Sequence, residues 1–261
     1  MLRFVHHKGV LPWRSRVRAA SIHLGISLGV ALLAALLVFA LWYPYPYREI
    51  SGGRELFLIV VSVDVVLGPL ITLAVFNARK PRRELIADLS VVAVLQLAAL
   101  AYGLWTVAIA RPVHLVFEID RFRVVHRIEV ADEFMSHAPA GLKVLPLARP
   151  TPLAVRPFRD AAEQSDATLA ALQGVSLSSR PDLWQSYEDA RPRVAAAAKP
   201  VSQLKARFPD WVSKIDAELR KAGLDPQKAM YLPVVGRKSF WTALLDPSTT
   251  AVVGFLPLDS F

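Results

Sequence analysis

Three stretches of the chain, residues 22–43, 56–76 and 88–109, are almost entirely apolar, and polar residues crowd the segments between them. Each is about 20 residues, and a helix of that length rises about 30 Å, the thickness of a bilayer's hydrocarbon core. The pattern predicts three transmembrane helices. Burial inside a soluble protein is a poor alternative, because the remaining chain is too short to wrap three such helices. A cleaved signal peptide fits no better. The first run exceeds the usual 7–15 residues and ends in Trp42-Tyr43-Pro44-Tyr45 instead of small residues.

Beyond residue 111 the period changes. Val113, Leu115, Phe117 and Ile119 alternate with a second set, and so do Phe122, Val124, His126, Ile128 and Val130. A period of two predicts two half-buried strands. Pairing them about Asp120-Arg121 sets Ile119 opposite Phe122, Phe117 opposite Val124 and Leu115 opposite His126, with Glu118 facing Arg123 on the other side. The turn has neither Gly nor Asn, which points to a loop longer than two residues. A Pro-rich connection follows. Helical spacing recurs over 158–172 and again from Pro209 to Gly223, and strands are predicted at 230–235, 240–245 and 251–256. The simplest assembly is an α+β domain over 111–261, a small antiparallel sheet with helices on one side, after a membrane domain over 1–110.

Composition agrees. Of the 261 residues 54% are hydrophobic and 20% charged, which excludes a disordered chain. The absence of Cys removes disulfides, thiolate chemistry and Cys-based zinc sites. The net charge of +9 is a matter of placement. Arg3, Lys8, Arg14, Arg16 and Arg18 precede the first span, and Arg79, Lys80, Arg82 and Arg83 lie between the second and third. The positive-inside rule puts both segments in the cytoplasm and residues from about 111 onward on the opposite side. The beyond-membrane segment shows no basic stripe with interleaved aromatics, so nucleic acid is not an expected partner; the lipid bilayer is.

No phosphate-binding, dinucleotide-binding or nucleophile-elbow motif occurs. No catalytic, cofactor or metal site is expected. His6-His7 reads as a solvated tail, His114 and His137 as surface residues, and His126 as a satisfied core histidine. Asp182, Glu188 and Asp189 read as a solvated face. The informative residues are in the spans. Asp64 lies mid-way along the second, where an ionisable group faces protein or water and marks a functional candidate. Gln96 sits at similar depth in the antiparallel third span, so Asp64 meets either Gln96 or a partner. Gly68-Pro69 follows one turn after Asp64, and Pro69 has no N–H for the carbonyl of Val65, which predicts a kink. Gly25 and Gly29 form a small-xxx-small pair suited to close helix packing.

Val63-Asp64-Val65-Val66-Leu67-Gly68-Pro69-Leu70-Ile71-Thr72-Leu73 resembles the signature of the TfpX/TfpZ family of type IV pilin accessory proteins, related to factors called FimB. So do Leu95-Gln96-Leu97-Ala98-Ala99-Leu100-Ala101-Tyr102-Gly103, Ala110-Arg111-Pro112-Val113 and Val116-Phe117-Glu118-Ile119-Asp120-Arg121-Phe122. The resemblance covers roughly residues 20–130 well. It implies a multi-pass protein of the Gram-negative inner membrane, with a cytoplasmic N-terminus and a periplasmic C-terminal domain. It further implies a non-enzymatic role: assisting the stability or assembly of a cognate type IV major pilin, and so twitching motility. The family's membrane signature marks Asp64, Gly68 and Pro69. The alternative is a membrane sensor with a ligand-binding periplasmic domain, disfavoured because the cytoplasmic parts are too short to hold an output domain.

Overall fold

The computed structural model describes residues 12–261, so Arg3, Lys8 and His6-His7 lie outside the described residues. The chain divides into two compact units. One comprises the segments up to Ala40 and Arg54–Val107, the other Leu41–Gly53 and Ala108–Phe261.

The first unit is helical. Helix α1 (Pro12–Leu36) continues into a π-helical stretch, Leu37–Trp42. A short helix α2 (Tyr47–Ile50), which belongs to the second unit, intervenes; helix α3 (Gly53–Ser62) then runs into a second π-turn, Val63–Leu67, and on into α4 (Gly68–Val75), and α5 is Arg82–Ile109. The stretches Trp13–Trp42, Gly53–Val75 and Arg82–Ile109 are each long and apolar enough to cross a membrane. Each starts earlier than its apolar run, because helical hydrogen bonding extends into the polar flanks. Two glycines let α5 approach its neighbours. A Cβ on Gly103 would lie 2.5 Å from Val60 Cγ1, and one on Gly68 would lie 1.8 Å from Gln96 Nε2. Lys80 Nζ pairs with Asp88 Oδ2 at 2.5 Å, neutralising the acid in the first turns of α5.

The second unit is built on an eight-stranded sheet of order β4-β3-β1-β2-β6-β7-β8, with β5 on β6. The strands are β1 (Pro112–Glu118), β2 (Arg121–His126), β3 (Thr151–Val155), β4 (Trp184–Ser186), β5 (Lys199–Pro200), β6 (Met230–Val235), β7 (Phe240–Leu245) and β8 (Val252–Leu256). The sheet is neither small nor wholly antiparallel, as the sequence suggested, but mixed: β1 pairs β3 and β2 pairs β6 in parallel. Alternation reports which face of a strand is buried and which neighbour a tight turn provides; a parallel partner arrives by a long crossover and leaves no local trace. The parallel strand β1 is buried along its whole length, as expected for a strand covered on both faces.

Helices pack on both faces, not one. On the first face, α7 (Tyr187–Ala197) contributes Tyr187, Ala190 and Val194 to a cluster with Leu115, Phe117, Phe122 and Val124. The opposite face carries two clusters. One unites α6 (Ala161–Leu172), through Ala167, with Val116, Val125 and Trp184. The other unites α8 (Val201–Arg207) and α9 (Val212–Lys221) with Tyr231, Leu244 and Leu256. The β1–β2 hairpin forms, but two residues out of the expected register, with Phe117 opposite Phe122 and Leu115 opposite Val124. A slip of two preserves which side chains face which side. The loop is Ile119-Asp120, two residues and not the longer one expected, with Ile119 in the left-handed region at φ 57°. A β-branched residue there is strained. Glu118 and Arg123 still meet, now diagonally, at 2.9 Å.

The link between the first two spans belongs to this unit. Tyr43 and Ile50 are fully buried, and Ile50 joins the first-face core. Lys238 N donates to the Ile50 carbonyl at 3.2 Å. A Cβ on Gly236 would sit 2.3 Å from Ile50 Cγ2, so glycine is what lets this strap seat. Burial raises the Tyr43 and Tyr47 phenols above their ordinary range.

Candidate functional site

Asp64 sits in the π-turn Val63–Leu67, at the N-terminal side of Gly68-Pro69. A π-turn shifts the backbone ladder by one residue and is frequent at functional positions. The shift leaves the Asp64 carbonyl oxygen accessible from the side, and Gln96 Nε2 donates to it at 3.4 Å. Gly68 has no Cβ, and the Gln96 amide occupies that space. Gln96 therefore meets the backbone of residue 64 and not its carboxylate. Asp64 is 9% exposed, and its Oδ1 has no hydrogen-bond partner among the described residues.

The carboxylate lines a half-open cavity of about 190 Å³ whose polar wall adds His23 and Ser27 of α1 and Gln96 of α5. His23 Nδ1 is 2.6 Å from Thr72 Oγ1, and Thr72 is 2% exposed. That bond ties α1 to α4. The structure thus gathers Asp64, Gly68 and Gln96 at one place and adds His23, Ser27 and Thr72, which sequence reasoning missed. A signal for His23 was available, since an ionisable ring in an apolar span is a candidate by the argument applied to Asp64. Gly25 and Gly29 are elsewhere: a Cβ on either would find nothing within 4 Å, so neither sits at a close helix contact among the described residues.

In the sheet unit, His114 is fully buried, contrary to the surface position expected for it. The Val144 carbonyl, 2.8 Å from Nε2, can only accept, so Nε2 carries the proton and Nδ1 accepts from Thr151 Oγ1 at 2.8 Å. Burial lowers its pKa, and the two hydrogen bonds oppose that only in part. The outward alternation position became internal because β3 and the 144 segment cover that face. His126 is buried as expected, with Nδ1 3.0 Å from Glu129 Oε2, but its Nε2 has no partner among the described residues. Burial raises the Glu129 carboxyl, yet hydrogen bonds and charge from His126, with Arg237 beyond, hold it below its usual value. Glu129, Arg123, Ser176 and Arg237 line a polar cleft of about 620 Å³. Asp182 is not solvated but paired with Arg180 at 2.7 Å, whereas Glu188 and Asp189 are exposed.

Comparison with known proteins decides the family. The family model described as fimbrial assembly protein FimB matches residues 11–52, the first span and the strap. A Dichelobacter nodosus fimbrial assembly protein of serogroup I is 35% identical over 241 residues, 90% of this chain and 93% of its own. The chain belongs to the fimbrial assembly protein family. A second Dichelobacter nodosus member, of serogroup E1, is 34% identical over 90% of this chain and 93% of its own. A third, of serogroups C1 and C2, is 40% identical over 43% of this chain and 86% of its own. No solved structure matches. Family membership assigns the protein a role in pilus assembly.

Proposed function

We propose that this fimbrial assembly protein is an inner-membrane accessory factor that binds a cognate type IV major pilin and assists its stability or its entry into pili, in the manner of the TfpX/TfpZ proteins. The end-to-end likeness to fimbrial assembly proteins carries this reading. It is supported by three apolar helices, a polar site at mid-span and a separate sheet unit, which suit a substrate that is a membrane helix with a folded head. The role is chaperone-like and non-enzymatic, and twitching motility depends on it. The basic flanks Arg14, Arg16 and Arg18 and Arg79, Lys80, Arg82 and Arg83 support a cytoplasmic N-terminus and a periplasmic sheet unit.

Deletion in a strain that carries the cognate pilin is expected to reduce surface pili and twitching with normal growth, and crosslinking in intact membranes to recover the pilin. Normal piliation in the deletion would refute the reading. Reporter fusions after Arg82 should behave as cytoplasmic and after Asp160 as periplasmic; a cytoplasmic signal from the second would overturn the orientation. The polar cleft at Arg123 and Arg237 favours the sensor alternative. A deletion that alters pilin transcription and not pilin assembly would support that alternative.

A further inference from the structure

We propose that the cavity at Asp64 is a socket for a cationic nitrogen on a transmembrane helix of the partner, with Asp64 as its counter-ion. The proposal rests on the reading above that the partner is a membrane-inserted subunit, and it names what that subunit must bring.

Three observations lead to it. Asp64 is nine-tenths buried, lines the cavity and has an unsatisfied carboxylate oxygen among the described residues. A carboxylate in that setting needs a charged or hydrogen-bonding complement. Next, two of this chain's polar groups nearby are engaged elsewhere. The Gln96 amide serves the Asp64 backbone carbonyl, and His23 Nδ1 is held by Thr72. No Lys or Arg occurs at 19–47, 55–78 or 84–110, so this chain has no long cationic side chain at that depth. Finally, the shape fits. A water molecule's share of liquid volume is about 30 Å³, so a cavity of about 190 Å³ accommodates a side chain. Its remaining wall is aliphatic, including Ile26, Val30, Val61 and Leu97. An aliphatic stem with a charged tip is the group that suits apolar walls around one acid.

The test uses the full-length protein in its native membrane, with a photocrosslinking residue at Ala93, which lines the cavity, and a control at Leu95, which is exposed. Ala93 should capture a partner helix, and mass spectrometry should place the crosslink beside a lysine, arginine or free amine. Asp64→Asn keeps size and hydrogen bonding but removes the charge. It should lower the yield by roughly 30-fold or more, the effect of truncating one side of a buried ion pair, while Asp64→Glu retains part of it. Ser27→Lys supplies an ammonium from within the chain and should abolish capture without touching Asp64. This second arm stands even if Asp64 variants fail to accumulate. Wild-type capture in either Asp64→Asn or Ser27→Lys overturns the socket. If pilin is still recovered by crosslinks elsewhere while Ala93 captures nothing, the socket fails and the pilin reading survives. If Ala93 captures a different, identified membrane protein beside a cationic group and in an Asp64-dependent way, the socket holds and the pilin reading fails.

Discussion

Ile50→Ala is expected to destabilise the sheet unit, although residue 50 lies more than fifty residues before that unit's first strand and between two apolar spans. Ile50 is fully exposed to protein and not to solvent: its relative exposure is 0%, and it shares a core with Phe117, Phe122, Leu232 and Trp241. Truncation of a buried Ile to Ala costs about 2–5 kcal/mol, through lost transfer energy and the cavity left behind. Complete burial against large neighbours that strands hold in place puts this site at about 3–4 kcal/mol. For a unit of this size Tm moves by roughly 2–4 °C per kcal/mol, a fall of roughly 6–16 °C. The assay is near-UV circular dichroism of the detergent-solubilised full chain during heating, which follows the sheet unit's packed aromatics. A companion variant sharpens it. In Gly236→Ala the new methyl meets Ile50 Cγ2 at 2.3 Å and the Ser239 carbonyl at 2.7 Å. Combining Gly236→Ala with Ile50→Ala removes the first clash and leaves the second, so the double variant should lose less than the sum of the singles. An Ile50→Ala transition unchanged within about 1 °C, against the shift that the size scaling requires, would refute the claim that the strap is part of this core.

His114 gives a pH dependence. Burial lowers its folded pKa, so the unfolded chain takes up the proton first; its contribution is complete above about pH 6.5 and is lost as pH falls below that, by at most about 1.4 kcal/mol per pH unit. Urea midpoints of the wild type should therefore fall more steeply than those of His114→Gln on acidification from neutrality, and parallel profiles would contradict this. Glu163 accepts from Arg156 at 2.7 Å and from Arg159, and these bonds hold its carboxyl well below the usual range against a smaller opposing effect of burial. Glu163→Gln should lower the melting temperature at neutral pH, and the gap should close only in strong acid, once the wild-type carboxylate is protonated. Gly103→Ala drives a methyl into Val60, whose branched side chain is stiff at χ1, so membrane accumulation should drop and Val60→Ala should restore it. Gly25→Ala with Gly29→Ala should leave protease resistance of the solubilised chain unchanged, because an added Cβ at either place has nothing within 4 Å among the described residues.

Some of this was legible in the residues alone. The three apolar helices follow from run length, since a bilayer-spanning helix is specified by its own composition. Strands β6, β7 and β8 were placed within a residue because alternation and the Asp246-Pro247 turn are local signals. Asp64 stood out for the same reason: a carboxylate in hydrocarbon needs no tertiary information to be unusual. What the residues left undecided was every relation that depends on elements distant in sequence. Parallel pairing of β2 with β6 joins segments more than a hundred residues apart, and only packing on both faces of the sheet selects it. That packing also buries His114 and draws Tyr43 and Ile50 of the strap into the core. In the helical unit, depth along each helix could be read from the chain, but rotation about its axis could not. Rotation is what brings His23 to Thr72 and sends the Gln96 amide to the carbonyl of Asp64 instead of its carboxylate. The sequence alone placed a carboxylate at the middle of a span; helix packing left its Oδ1 without a hydrogen-bond partner among the described residues, because side-chain contacts between helices are set by how ridges and small residues let their surfaces meet.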